Sequence, residues 1–317
     1  MRLWLLALAV MITVLAAGCS SSNPEANRTA HPQNQSNSES MGQAFPRTVK
    51  HIGGETVIES KPLKIVTPYI GFVDYLAVLD EYPIGAQGVE IIRANFPSLS
   101  KKLQGKEVAD LGMEASLEKI LALEPDLILA ADDMTEQYDQ LSQIAKTVIF
   151  PQAGDWRETL QQIAEAIGKE DKAKAVLAEF DRKSAEYKEQ LVFRKGETVM
   201  FAMYSGKDQF TTWNDGRFDP FYNGLGLTPL PNMEGTGQLS LESLAELNPD
   251  HLFIINNWQT PIAGGVQEAL KESSVWNSMQ AVKAKQVYYL EDPSLPGPMA
   301  LAKIDGIDYI MEALRKK

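Results

Sequence analysis

The sequence predicts an α/β protein with two α/β lobes of mainly parallel sheets, joined by one long helix. Short apolar runs alternate with helical patterns in both halves of the chain, as in strands that helices cover on both faces. One short element of the first half recurs in the second half. A helical region at residues 156–191 lies between the two halves.

Residues 1–18 are predicted to be a lipoprotein signal peptide. Arg2 precedes an apolar run, residues 3–17, and about 15 such residues are fewer than the roughly 20 that span a bilayer. The run ends in small residues directly before Cys19, the only cysteine in the chain. This ending resembles the lipobox of bacterial lipoproteins, so Cys19 is the predicted site of acylation. The alternative is a secretory signal followed by an incidental thiol.

Residues 19–45 are predicted to form a disordered tether. More than half of residues 20–43 are Ser, Asn or Gln, side chains that rarely enter a core. A flexible coil of about 24 residues has an r.m.s. reach of roughly 25–30 Å. The tether would hold a globular body near the outer face of a cytoplasmic membrane, with the lipid anchor as its only membrane contact.

The two lobes are predicted at residues 46–155 and 192–317. The predicted strands are residues 64–66, 84–86, 126–130 and 147–150 in the first lobe and 197–203, 251–255 and 286–290 in the second. Residues 156–191 form the predicted helical linker, in which Asp155 caps the first turn and Gly168 marks a joint. The roughly 22 residues after the joint would form a strut of about 33 Å. A crossover helix inside a single domain is the alternative.

The strongest internal signal is the recurring pattern S-L-E-x-[I/L]-x-x-L-x-P-D. It occupies residues 116–126 and again residues 240–250, and each copy leads directly into an apolar strand. The serine is placed to cap a short helix, which the proline ends because proline cannot donate to the helix ladder. Two lobes of the same construction explain the repeat.

The paired elements resemble those of a known family, the periplasmic binding proteins that carry siderophores, haem and vitamin B12. Three further segments share this resemblance: Asp110-Leu111-Gly112, the helix after Trp156, and the stretch from Val275-Trp276 to Val287-Tyr288. The resemblance covers residues 46–317. It implies the class III periplasmic binding protein fold, in which ligand binds in the cleft between the lobes and closure is small.

The resemblance also implies a function, that of the substrate-binding subunit of an ABC importer, which is not an enzyme. As a monomer, the protein would capture a ferric siderophore and deliver it to the permease subunits. The iron would be carried within the ligand, so no intrinsic cofactor is expected. A carrier of vitamin B12, haem or another metal chelate is the alternative.

Members of this family dock on the importer through one exposed glutamate in each lobe. The motif places these glutamates at Glu118 and Glu242 of this chain. A simpler explanation is that each carboxylate only stabilises the first turn of its helix, where negative charge is favourable. Both explanations can hold at once.

Ligand contacts are expected from loops at the carboxyl ends of the strands. Aromatic walls suit the organic shell of a siderophore, and the planar guanidinium of arginine suits its oxygen-rich iron centre. The candidate ligand-binding residues are Tyr69, Arg93, Tyr204, Trp213, Arg217 and Trp258. For each, burial in a core or exposure to solvent is the alternative. The loops hold few basic residues, which favours hydroxamate or hydroxamate–carboxylate siderophores over catecholates.

Enzymatic and metal-holding alternatives find little support in the sequence. The histidines are His31, His51 and His251, and no zinc-protease, serine-hydrolase or phosphate-loop motif is present. Asp132 and Asp133 are adjacent carboxylates of the kind that is usually just solvated. A net charge of −12 argues against nucleic acid as a partner. An extracytoplasmic hydrolase and a structural or adhesive lipoprotein remain the alternatives from other classes.

Overall fold

The computed structural model describes residues 45–214, 216–231 and 235–315. The predicted signal peptide, Cys19 and almost all of the predicted tether lie outside these residues. The predicted fold class is confirmed, because two α/β lobes, each with its own sheet, are connected by a long helix. Within the described ranges, none of the helices combines the length and the apolar character that a membrane crossing requires.

The first lobe is built on a five-stranded parallel sheet. Its elements are β1 (Arg47–His51), β2 (Gly54–Ile58), β3 (Ile65–Thr67), α1 (Ile70–Val78), β4 (Gly85–Ala86), α2 (Val89–Asn95), α3 (Pro97–Lys102), β5 (Ala109–Asp110), α4 (Leu117–Ala122), β6 (Leu127–Ala131), a 3₁₀ helix (Asp132–Gln137), α5 (Tyr138–Ile144) and β7 (Lys146–Phe150). The strand order is β5-β4-β3-β6-β7. The antiparallel β1–β2 hairpin lies beside β7, where the Ile52 N–H donates to the Ile149 carbonyl at 3.0 Å.

Two consecutive helices lead from the first lobe to the second. They are α6 (Trp156–Ile167) and α7 (Glu170–Gln190), and Gly168 joins them at a φ of 72°. The Asp155 carboxylate accepts the Arg157 and Glu158 N–H groups and so caps α6, as the sequence predicts. At 21 residues, α7 is about 32 Å long. Its apolar face joins the largest hydrophobic cluster, which extends into both lobes.

The second lobe is built on a mixed sheet. Its elements are a 3₁₀ turn (Val192–Arg194), β8 (Thr198–Gly206), β9 (Gln209–Asn214), α8 (Asp219–Leu225), β10 (Thr228–Pro229), β11 (Gly235–Ser240), α9 (Leu241–Leu247), β12 (His251–Asn256), α10 (Gly265–Leu270), α11 (Ser274–Ser278), α12 (Gln280–Lys283), β13 (Val287–Leu290) and α13 (Ala300–Arg315). The order is β11-β9-β8-β12-β13, with β10 beside β8. β8, β12 and β13 are parallel, whereas β9 pairs antiparallel with both β8 and β11.

The antiparallel part of this sheet differs from the prediction, which ended a strand at residue 203 and placed Tyr204 and Trp213 in the loop after it. β8 continues to Gly206 because β9 folds back and pairs with it through a tight turn. Gly206 adopts a φ of 87° in that turn, a conformation that favours glycine. Tyr204 and Trp213 therefore lie on strands. The apolar residues of β9, Phe210 and Trp213, are three positions apart and lack the alternation that signals a strand.

The recurring element has the same structure in both lobes. The hydroxyls of Ser116 and Ser240 cap α4 and α9 by accepting the Lys119 and Ser243 N–H groups. Each copy ends in an aspartate that holds the start of the neighbouring strand. Asp126 accepts the Leu63 and Lys64 N–H groups at 2.8 and 3.0 Å, and Asp250 accepts the Thr198 N–H at 2.7 Å. The repeat therefore fixes β3 against β6 and β8 against β12.

One position of the element is strained in the first copy only. Glu124 adopts a φ of 47° and its counterpart Asn248 a φ of 45°, a conformation that asparagine tolerates better. We expect Glu124→Asn to raise the free energy of unfolding by up to about 1 kcal/mol in urea denaturation, because asparagine relieves part of the cost of a left-handed backbone. Glu124→Gln is the control, since it removes the exposed contact with Lys64 but keeps the strained backbone. Equal stability of the two variants would contradict this explanation.

Candidate functional site

A cavity of about 610 Å³ lies where the two lobes and the long helix meet. The first lobe contributes the segment after β7 and the start of α6, and α7 forms the floor. The second lobe contributes the segment between β9 and α8, together with the start of α13. The lining includes Asp155, Trp156, Arg157, Phe180, Asp181, Ser184, Arg217, Asp219, Pro298 and Lys303.

Two basic side chains enter the cavity from the second lobe and α13. The Arg217 guanidinium stacks on the Trp213 ring at 5.4 Å and donates to the Pro296 carbonyl at 3.2 Å. Lys303 is only 1% exposed, and its ammonium group donates to the Leu295 carbonyl. A buried ammonium group is costly unless its surroundings compensate it, and the Leu295 carbonyl supplies one compensating hydrogen bond.

A third basic side chain reaches the cavity from the first lobe. The Arg157 guanidinium lies 4.9 Å from the centre of the Trp156 ring and 4.9 Å from that of Phe180, and it pairs with the Asp181 carboxylate. The two rings meet edge to face at 5.1 Å. This wall is apolar with a cationic edge, a surface that suits a ligand with an organic shell and exposed oxygens.

The floor of the cavity carries an unsatisfied hydroxyl. Ser184 on α7 is buried, and its Oγ has no hydrogen-bond partner among the residues that the structure describes. A buried polar group without a partner typically costs about 1–3 kcal/mol. Because the Oγ is enclosed by protein atoms, this cost belongs to the packing of α7 and does not by itself identify a ligand contact.

The six candidate ligand residues are not all at this cavity. Arg217 lines it, and Trp213 contacts Arg217. Tyr204 is instead buried in the second lobe, with its ring 5.1 Å from that of Phe210, because β8 extends past the predicted loop boundary. Arg93 lies exposed on α2 and donates to the Lys106 carbonyl at 3.1 Å.

Trp258 lies elsewhere along the boundary between the lobes, and Tyr69 lies in the first lobe directly before α1. Trp258 packs against Phe96 of the first lobe at 5.7 Å between ring centres, and its carbonyl accepts from the Asn95 amide at 2.8 Å. Burial, followed by the charges of Asp133 and Asp132, raises the pKa of Tyr69 to about 12. Because of this pKa, Tyr69 is neutral at physiological pH. Trp258 is part of a direct contact between the two lobes and does not line the cavity.

Arg157, Ser184 and Lys303 line the cavity although the sequence did not indicate them. Arg157 follows the cap of α6 and looks like an ordinary surface residue of an amphipathic helix. Ser184 occupies the apolar face of α7, and Lys303 lies among apolar residues of α13. The only sequence signal was a polar residue on the apolar face of a helix. The same signal is given by a polar residue whose hydrogen bonds are satisfied inside the core, so it does not identify a binding site.

The described histidines have structural roles. His51 contacts the Thr56 hydroxyl at 2.9 Å, and His251, which is fully buried, contacts the Glu197 carboxylate at 2.6 Å. No cluster of His, Cys, Asp or Glu suited to a metal ion occurs in the described part of the chain.

The two candidate docking glutamates are exposed in matching positions. Glu118 follows the capping serine of α4, and Glu242 follows that of α9. Both lie in the first turn of their helices, so the stabilising effect of a carboxylate on a helix start applies to both. Their exposure leaves each carboxylate accessible from solvent, one in each lobe.

A buried carboxylate connects the first lobe to α13. Asp74 on α1 accepts the Leu301 N–H at 2.8 Å, and burial raises the pKa of Asp74 to about 7. Because this pKa lies above the unfolded value of about 4, the folded state binds more protons between about pH 4 and pH 7. The contribution of Asp74 to stability is therefore full at low pH and is lost as the pH rises through about 7.

We expect Asp74→Asn to remove this pH dependence. Relative to the variant, wild-type protein should lose stability between pH 4.5 and pH 8, by at most about 4 kcal/mol for a shift of about three units. Urea denaturation at both pH values measures the difference. A constant difference in the free energy of unfolding between the two proteins would contradict the assignment.

Comparison with known proteins shows the family. The family model described as Periplasmic binding protein matches residues 74–293, which is more than half of the chain. The chain belongs to this family of periplasmic binding proteins, and it is therefore a substrate-binding protein and not an enzyme.

Known relatives and a solved structure cover most of the chain. It is 31% identical to the iron(3+)-hydroxamate-binding protein FhuD of Bacillus subtilis over 88% of this chain and 92% of that protein. It is 28% identical to the Fe(3+)-citrate-binding protein YfmC of the same organism over 88% and 86%. The structure of Staphylococcus aureus SirA complexed with staphyloferrin B is 26% identical, with a TM-score of 0.68 over 85% of this chain and 98% of that chain.

Proposed function

We propose that the chain is the extracytoplasmic binding subunit of an ABC importer and captures a ferric siderophore in the cavity between its lobes. The observation that carries the proposal is this cavity, whose volume of about 610 Å³ lies in the range of roughly 300–1,000 Å³ typical of ligand sites. The names of the relatives support an iron chelate as the ligand. The iron is carried within that ligand, so the protein needs no cofactor of its own.

The charge of the cavity supports a siderophore of low net charge. Its described lining holds three basic side chains (Arg157, Arg217 and Lys303) and three acidic ones (Asp155, Asp181 and Asp219). A ferric tricatecholate carries a high negative charge and would need an excess of basic groups. The names of the relatives include ferric hydroxamate and ferric citrate binders. Among such chelates, we favour a hydroxamate or hydroxamate–carboxylate siderophore as the ligand.

Haem and vitamin B12 are the alternative ligands. Haem iron is held by an axial side chain such as His, Tyr, Met or Cys. The cavity lining within residues 45–214, 216–231 and 235–315 includes none of these residue types. The cavity therefore favours a chelate that brings a complete ligand set for its iron.

Tryptophan fluorescence titration tests the proposal, because Trp156 lines the cavity and Trp213 contacts Arg217. The panel is ferrioxamine B as hydroxamate, ferric citrate, ferric enterobactin as catecholate, cobalamin and haem. We expect saturable quenching with the hydroxamate and weaker or no saturable quenching with the last three. Tight binding of cobalamin or haem without binding of any siderophore would overturn the proposal.

We also propose that the protein is lipid-anchored through Cys19 to the outer face of the cytoplasmic membrane and acts as a monomer. Both walls of the cavity come from one chain, so no second copy is needed to complete the site. The exposed Glu118 and Glu242 are the proposed contacts with the two permease subunits.

Cys19→Ala is expected to abolish membrane attachment. The unacylated protein should appear in the soluble or secreted fraction, because a lipid anchor needs the thiol. Its ligand affinity should equal that of wild type, since the substitution lies outside the lobes. Cell fractionation followed by fluorescence titration measures both, with Ser21→Ala as the control. Unchanged membrane association of Cys19→Ala would refute the anchor.

A further inference from the structure

The segment between β13 and α13, residues 291–299 and here called the connector, is fixed to the first lobe although it belongs to the second. At its start, the Asp292 carboxylate accepts the Ser98 N–H of α3 at 3.0 Å. Near its end, the Tyr75 hydroxyl of α1 donates to the Pro298 carbonyl. Directly after it, Asp74 accepts the Leu301 N–H. Two contacts therefore attach the connector across the lobe boundary, and a third attaches the first turn of α13.

The middle of the connector holds two cations of the cavity. The Lys303 ammonium group donates to the Leu295 carbonyl, and the Arg217 guanidinium donates to the next carbonyl, that of Pro296. Two consecutive carbonyl groups of the connector thus accept hydrogen bonds from the two basic side chains. Since Pro298 itself lines the cavity, a displacement of the connector changes both the cavity wall and the positions of the two charges.

Tyr75 is suited to set that position. Its side chain is 2% exposed, and its ring contacts Phe72 edge to face at 6.1 Å, so the hydroxyl is held in one place. Tyr75 does not line the cavity, and one residue of the connector, Gly297, separates its acceptor from the acceptor of Arg217. The Tyr75 hydroxyl contacts the connector directly at Pro298, and its side chain also hydrogen-bonds Thr159 of α6, so the route of its effect is tested against Arg217 below.

We propose that Tyr75 is a positioning residue for ligand binding, which acts through the connector to place Arg217 and Lys303 in the cavity. This inference rests on the proposed function, because it assigns to Tyr75 a role in the affinity of that site. In this proposal a residue of the first lobe fixes the positions of two basic side chains of the second lobe. A change in the relative position of the lobes would therefore change the affinity for an oxygen-rich ligand.

Tyr75→Phe tests the inference, because it removes the hydroxyl and keeps the ring. Tyr222→Phe is the matched control, since the Tyr222 hydroxyl donates to the Val199 carbonyl at 3.2 Å entirely within the second lobe. With ferrioxamine B and ferric citrate as probes, we expect Tyr75→Phe to bind three- to tenfold more weakly than wild type. Tyr222→Phe should bind within twofold of wild type. In ligand-free protein, the Gly297 and Leu301 amides should exchange hydrogen faster in Tyr75→Phe only.

A double variant separates positioning from a general loss of stability. Tyr75→Phe is made both in wild type and in Arg217→Ala, and the change in the logarithm of the dissociation constant is compared. If Tyr75 acts through Arg217, the change in Arg217→Ala should be less than half of the change in wild type. Full additivity, or wild-type affinity of Tyr75→Phe, would overturn the inference while leaving the proposed function intact. Failure of wild type to bind either probe would overturn the proposed function and this inference with it. Unchanged amide exchange in Tyr75→Phe would also overturn the inference, whatever the ligand.

Discussion

Replacing both Glu118 and Glu242 with lysine is expected to abolish uptake of the ferric ligand and to leave ligand affinity at the wild-type value. The two carboxylates are exposed at matching positions of the repeated element, one in each lobe, where a two-subunit permease would contact both. Lysine in a pocket built for a carboxylate places like charges together, which costs several kcal/mol at a desolvated contact. Neither glutamate lines the cavity, so ligand binding should be unaffected.

Radioiron uptake by cells that carry only the variant, together with fluorescence titration of purified protein, measures the two properties. The control is the double variant Glu59→Lys with Glu272→Lys, which changes the net charge equally at two other exposed sites, one in each lobe. This control should support normal uptake. Normal uptake with the variant of Glu118 and Glu242 would refute the docking assignment, and lost ligand affinity would show a role in the site or the fold.

Arg217→Ala is expected to weaken ligand binding by about 1–3 kcal/mol, or roughly 5- to 150-fold in the dissociation constant. The guanidinium lines the cavity, stacks on Trp213 and lies on a segment between β9 and α8, so its removal should affect the fold little. Trp213→Ala should cause a smaller loss, because the indole acts by holding Arg217.

Arg93→Ala is the matched control for Arg217→Ala. Arg93 also follows the end of a strand in sequence, but it is exposed on α2 and donates to the Lys106 carbonyl, away from the cavity. Its removal should change affinity by less than twofold. If Arg93→Ala weakens binding and Arg217→Ala does not, the ligand binds at another part of the boundary between the lobes.

The fold was largely predictable because its construction is repeated along the chain. The pattern at residues 116–126 and 240–250 carries its own cap, helix end and strand anchor, so each copy specifies the same local structure. The strut helix was predictable from its length and apolar spacing. The antiparallel strands β9 and β11 were not, because β9 follows β8 through a turn with left-handed backbone conformations and is stabilised by pairing with β8 and β11.

The cavity was only partly predictable, because distant segments build it. Arg217 could be chosen as a loop arginine after a strand, which is a local property. Arg157 and Lys303 come from helices that meet only in the folded protein, and each alone resembles a surface or core residue. Tyr204 was predicted at the cleft because the sequence pattern ended the strand at residue 203. β8 continues to Gly206, so the Tyr204 side chain lies in the core of the second lobe and not in a loop.

Locating the iron in a crystal of the protein grown with ferrioxamine B tests the central claim most directly. Anomalous diffraction at the iron edge gives the position of the metal without assumptions about the organic ligand. We expect a single iron peak inside the cavity between Arg157 and Arg217, with the ligand oxygens facing the guanidinium groups and the ligand carbon atoms facing Trp156. An iron peak elsewhere, or direct coordination of iron by protein side chains in place of a chelate, would contradict it.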